Sequence, residues 1–177
     1  MPSNKDRLYI VLYLRGNARE DTYNWAFIVG PKIEPERGGW GIRFHVVDSN
    51  MVLSQQPPDW VYNEGTITLE PTPTLLVRVV VGKVKNIDRL QSILRQVPVR
   101  SEVPGWDCES WVKEALRMLN SDREAMGTSI ASWDLVRSTV IEYANSKRAA
   151  RRLTTVGQYD GSKVATWDMM EGKELIP

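Results

Sequence analysis

The chain has little with which to do disulfide, metal or redox chemistry. Its 177 residues hold one cysteine, Cys108, and one histidine, His45. A single cysteine excludes an internal disulfide framework, and one cysteine with one histidine supplies too few soft ligands for a structural zinc site, so no metal is expected. An excess of one charge is missing too: 23 basic residues against 22 acidic ones leave a net charge of +1. That balance gives no electrostatic basis for nucleic acid or an anionic membrane surface as the main partner. Apolar runs are short. Residues 1–7 are polar, and the run from Leu8 to Leu14 ends at Arg15 without the small-residue cleavage site of a secretory signal. No later run approaches the ~20 apolar residues of a membrane span, so the expectation is no membrane span and a reducing, cytoplasmic setting. No glycine-rich loop stands between a strand and a helix, since Gly38-Gly39 falls in an exposed turn, and no nucleotide or other cofactor is expected.

What is present suffices for a core. At 42% apolar content the chain reads as one domain over residues 1–177, without internal repeat or low-complexity tract. Residues 7–15 are rich in β-branched and aromatic side chains and stop at Gly16-Asn17, so they read as a strand buried on both faces. Residues 23–30 form a second strand ending at Gly30-Pro31. Residues 40–47 alternate apolar and polar side chains and pair back on it as a hairpin. A polar loop at 48–58 leads to a short edge strand, 60–64, closed by Gly65. Residues 75–84 give the strongest strand signal and are expected at the sheet centre. Helical periodicity follows at Leu90, Ile93, Leu94 and Val97, at 108–119, and from Ser129 to Ala144. The basic run Lys147, Arg148, Arg151 and Arg152 reads as a solvated helix end that complements the dipole. Residues 7–84 are thus mainly strands, 86–149 mainly helices, and 150–177 an extension draped over the domain. Strands followed by segregated helices predict an α+β fold, an antiparallel sheet packed against helices.

The stretch from Trp106 to Leu116 organises the chain. Pro104-Gly105 breaks the preceding segment, Asp107 suits an N-cap, and Trp111, Val112, Ala115, Leu116 and Leu119 recur on one helical face. Cys108 therefore falls in the first turn, where unpaired amides and the helix dipole favour a thiolate, while Asp107 and Glu109 oppose it. A lone intracellular cysteine also fits the role of a small buried hydrophobe. A thiol nucleophile needs a base and an orienting third group. His45 on the third strand and Asn24 on the second are the polar residues that a hairpin can bring to one sheet face opposite that helix.

In this order the residues resemble the circularly permuted papain-like proteins of the NlpC superfamily, the lecithin:retinol acyltransferase branch in particular. The resemblance rests on Asn24-Trp25-Ala26-Phe27-Ile28-Val29-Gly30, on Phe44-His45-Val46, and on Cys108-Glu109-Ser110-Trp111-Val112. It is closer still to a family of small fungal proteins that carry Gly-Pro-Lys after the strand, as Gly30-Pro31-Lys32 does here. It runs from about Leu8 to Leu119. It implies a permuted papain-like arrangement, Cys108 as nucleophile and His45 as the orienting residue. The family's base histidine, however, falls on Asn24, and the residue before the cysteine is Asp107 instead of Asn. Asparagine accepts no proton from a thiol.

Three functions of different class follow. In the first, the chain is a divergent thiol hydrolase or acyltransferase acting on an amide or ester, with Cys108, His45 and Asn24 at an impaired site. In the second, the same cleft binds a small molecule or guides a non-covalent cyclisation or isomerisation in a biosynthetic pathway, where positioning supplies the catalysis. In the third, it is an inactive interaction module. Tyr23, Trp25, Trp40 and Trp106 are the candidate substrate contacts, rings with a polar tip that suit a pocket as well as a core.

Overall fold

The computed structural model describes residues 5–15, 22–50 and 55–177. The strand end at Gly16-Asn17, the amino-terminal residues 1–4 and residues 51–54 of the loop lie outside the described residues. The fold is α+β: an open, mostly antiparallel eight-stranded sheet with three helices. In chain order the elements are β1 (Arg7–Leu14), β2 (Tyr23–Gly30), β3 (Trp40–Asp48), β4 (Trp60–Thr68), β5 (Leu75–Val84), α1 (Ile87–Gln96), α2 (Cys108–Asp122), β6 (Met126–Ser129), α3 (Trp133–Ala149), β7 (Ala165–Asp168) and β8 (Lys173–Ile176). Across the sheet the order is β4-β3-β2-β1-β5-β7-β8, with β6 also pairing β5.

Alternation decides which face is which. Leu8, Ile10 and Leu12 of β1, Tyr23, Trp25, Phe27 and Val29 of β2, and Phe44 and Val46 of β3 form one core with the buried faces of α1, α2 and α3. The alternate residues Tyr9, Val11, Ala26 and Ile28 form a smaller cluster on the outer face, closed by Leu69, Leu75 and Val164. The α2 face is the one the periodicity gives: Trp111, Val112, Ala115, Leu116 and Leu119 are all buried. As expected, β5 is central, flanked by β1, β6 and β7, and β4 is an edge.

Four features differ from the sequence reading. β4 continues through Gly65 to Thr68 and pairs with the whole of β3, because at an edge a glycine lacking a side chain does not end the ladder. β6 lies against Gly82, where an added Cβ would meet Met126 Cε at 2.6 Å and Ser129 Cβ at 2.8 Å. The carboxy-terminal segment does more than drape: β7 pairs with β5, in parallel, and β8 closes on β7. Finally, Arg152 is a buried anchor. It is 6% exposed and donates to the carbonyls of Pro177 (2.9 Å), Asp160 (3.3 Å) and Lys163 (3.1 Å), while Lys147 pairs with Glu174 at 2.5 Å.

Candidate functional site

Cys108 opens α2, and a capping box fixes that start. The Asp107 carboxylate accepts from the Ser110 amide at 3.0 Å, and the Ser110 hydroxyl accepts from the Asp107 amide at 3.4 Å. The thiol enters the sheet where β2 and β3 part. Their ladder covers only Phe27–Val29 against Ile42–Phe44. Below it the Trp25 amide donates to Cys108 Sγ at 3.4 Å and the thiol donates to the Tyr23 carbonyl at 3.8 Å. The helix terminus thus supplies partners to strand groups that have no further ladder to join.

Arg15, just past β1, is the third partner. Its Nη2 donates to Sγ at 3.3 Å and its Nε to Asn24 Oδ1 at 2.8 Å. Asn24 and Cys108 are therefore linked through one guanidinium. Sequence reasoning passed over Arg15, although its place at the end of β1, one residue beyond the Leu14–Tyr23 pair, sets it beside Asn24. Cys108 is 1% exposed. Burial pushes its pKa up, and this outweighs the Trp25 amide and the Arg15 guanidinium, which act the other way; Asp107 adds to the rise. The group at neutral pH is a thiol.

His45 stands apart from this cluster. Phe44 and Val46 turn toward α2, so the pleat sends His45 to the outer face, opposite its β4 partner Asn63. Its Nε2 meets Asn63 Oδ1 at 3.4 Å. Burial and then the Arg43 charge lower its pKa to about 4, against a smaller opposing effect of Asn63. At neutral pH it is an uncharged imidazole whose side-chain hydrogen bond goes to Asn63 and not to Sγ. By parity Asn24 also starts from the outer face, but the β2–β3 ladder ends before reaching either residue, so the hairpin does not pair them.

The aromatic candidates divide. Tyr23 and Trp25 are buried against α3: the Tyr23 hydroxyl donates to Asn145 Oδ1 at 2.6 Å, and the Trp25 ring lies 5.8 Å from that of Trp133. Trp40 is 62% exposed at the start of β3, paired with Thr68. Trp106 is half-buried, edge-on to Trp60 at 6.2 Å. It lines a groove of about 460 Å³ along α2 together with Ser110, Lys113, Glu114, Arg117 and Trp133. Trp133 falls within the helical periodicity read from Ser129 to Ala144. Among the described residues no cluster of His, Cys, Asp and Glu could hold a metal ion, and no helix is long and apolar enough to cross a membrane.

No curated protein and no solved structure matches the chain. One family does, over residues 5–176, and with nearly its whole length matched the chain belongs to it: a family of unknown function, DUF6914.

Proposed function

We propose that this chain is a permuted papain-like, NlpC-type scaffold that binds a small molecule without covalent chemistry, its thiol serving the fold. The observation that carries this reading is the enclosure of Cys108. Its sulfur is occupied by the Trp25 amide, the Tyr23 carbonyl and Arg15, with its pKa raised and the only imidazole of the chain bonded to Asn63 instead. A nucleophile needs the reverse: an exposed, low-pKa sulfur beside a base. The groove between Trp106 and Trp133 is the binding site in this reading. Its indoles suit an acyl or aromatic body, and Lys113 and Arg117 give it a basic rim. A free buried thiol suits a reducing, cytoplasmic compartment.

A second reading, the impaired hydrolase or acyltransferase, is favoured by one contact. Arg15 Nη2 at 3.3 Å from Sγ sets a permanent cation where an imidazolium would stand in a working dyad. The two readings separate by mass spectrometry after incubation with a p-nitrophenyl acyl ester. The binding reading expects no acyl adduct on Cys108 in the folded protein, ester turnover equal in wild type and Cys108→Ala, and modification only after urea unfolding. A stoichiometric Cys108 acyl adduct in the folded protein, with a burst of nitrophenol, overturns it in favour of thiol chemistry.

A further inference from the structure

Three arginines are buried among the described residues, and they differ in what faces them. Arg78 forms an ion pair with Glu34 and also donates to the Leu69 carbonyl. Arg152 is held by the three carbonyls described above. Arg7 is 4% exposed, forms no ion pair among the described residues, and makes one hydrogen bond there, from Nη1 to the Lys5 carbonyl at 2.5 Å; Glu171, whose carboxyl feels the Arg7 charge, is bonded to Lys173 instead. The Arg7 Nε and Nη2 have no acceptor among the described residues, yet neither is sealed from open space. Arg7 lines a cavity of about 600 Å³. A guanidinium stays charged at every relevant pH, and a buried charge without a counter-ion is costly. The site calls for an anion.

The cavity lies on the outer face, across the sheet from Cys108 and independent of the groove on α2. Tyr9 of β1 pairs with Val80 of β5, and Val80 with Asp168 of β7, so these three side chains form adjoining parts of its floor. Two of the four acids around it are held by cations and two by neutral groups. Glu34 holds Arg78, Glu171 holds Lys173 at 2.6 Å, Asp168 Oδ1 accepts from the amides of Met170 (2.7 Å) and Glu171 (3.1 Å), and Asp160 accepts from Ser162. Lys32 and Lys163 also line the cavity and, like Arg7, form no ion pair among the described residues; Asp160 and Asp168 are bonded only to neutral groups, so three cations stand outside ion pairs against two carboxylates, an excess of one positive charge. Ile33, Leu175 and Ile176 make an apolar wall. The volume falls within the ordinary range for small-molecule sites.

We propose that this cavity binds a small organic anion, its carboxylate or phosphate on the Arg7 guanidinium and its apolar body against Ile33, Val80 and Leu175. The planar guanidinium fork matches either oxyanion through two parallel hydrogen bonds. The acid head takes the place that Glu34 takes on Arg78.

The test is an amide NMR titration with benzoate, hexanoate and phenyl phosphate, each against sodium chloride at equal ionic strength. Saturable perturbation at Arg7, Tyr9 and Asp168 is expected, and the relative strength of benzoate and phenyl phosphate tells which oxyanion the site takes. Arg7→Met should weaken binding by about tenfold or more, the scale of one charge-assisted bidentate contact. It should leave the thermal midpoint of the free protein equal or higher, since a buried unpaired cation is removed. If Arg7→Met does not fold, Arg7→Lys gives the comparison: it keeps the charge, loses the fork, and should weaken benzoate by roughly threefold or more. Perturbation absent, shared with chloride, or confined to α2 overturns the proposal, as does binding of equal strength in the Arg7 variant.

Discussion

Replacing Cys108 by alanine distinguishes a thiol that serves the fold from one held in place for chemistry. Deleting the buried sulfur removes one heavy atom from the core, a loss of about 1 kcal/mol by analogy with a buried methylene and the small void left behind. It also leaves the Trp25 amide, now 3.4 Å from its acceptor, with nothing to bond. An unsatisfied buried amide costs about 1–3 kcal/mol. Arg15 is only partly buried and can turn to water, so its share is small. The sum is about 2–4 kcal/mol, a substantial fraction of the ~5–15 kcal/mol typical of a domain. Cys108→Ser keeps an acceptor on a shorter bond and should lose about half as much. Urea unfolding followed by tryptophan fluorescence gives both values, as a lower midpoint at unchanged slope. A nucleophile kept at the expense of stability behaves oppositely, its alanine variant being as stable as wild type or more so. That outcome would refute the structural role.

Two further predictions concern groups away from the thiol. His45 has a folded pKa near 4 against about 6.5 in the unfolded chain, so the unfolded state binds the extra proton between these values. Stability is complete above about pH 6.5, falls as pH drops toward 4, and levels off below. The loss is about 2 kcal/mol once the ring's partial exposure is allowed for, and His45→Gln should abolish that part of the slope in urea midpoints measured from pH 7 to 4. Arg152→Ala leaves the Pro177, Asp160 and Lys163 carbonyls without their donor and should cost about 3–5 kcal/mol, with β7 and β8 cut first in limited proteolysis.

The sequence reading was strongest where local chemistry decides the structure. Tyr23–Gly30 and Leu75–Val84 have the strand bounds expected of them, and Asp107 caps α2 with Cys108 in its first turn. Short elements that depend on distant partners were not legible. Met126–Ser129 and Ala165–Asp168 are four residues each, too short for a period to register, and both exist because β5 offers them its backbone. Arg152 looked like any basic helix end, since its three acceptors come from residues 160–177. The face occupied by His45 was legible in part. Phe44 and Val46 point inward, so the residue between them points out, but how far the β2–β3 ladder extends is a tertiary fact. Arg7 looked like the polar start of a strand. Nothing in the sequence told which of three buried arginines would lack a carboxylate.

The central claim is that Cys108 is a protonated, enclosed thiol, and the pH dependence of its alkylation tests it most directly. Iodoacetamide rates are to be measured from pH 5 to 10 on the folded wild type, on Asn24→His, and on the urea-unfolded chain. The wild type should react far more slowly than the unfolded chain at pH 7, with a midpoint above the ~8.5 of a free thiol. Asn24→His places an imidazole beside Arg15 and the sulfur, and each unit by which it lowers the thiol pKa should raise the neutral-pH thiolate fraction about tenfold. A wild-type rate that is already at its plateau below pH 7, lost in His45→Ala, would contradict the account and make His45 the base of a working thiol enzyme.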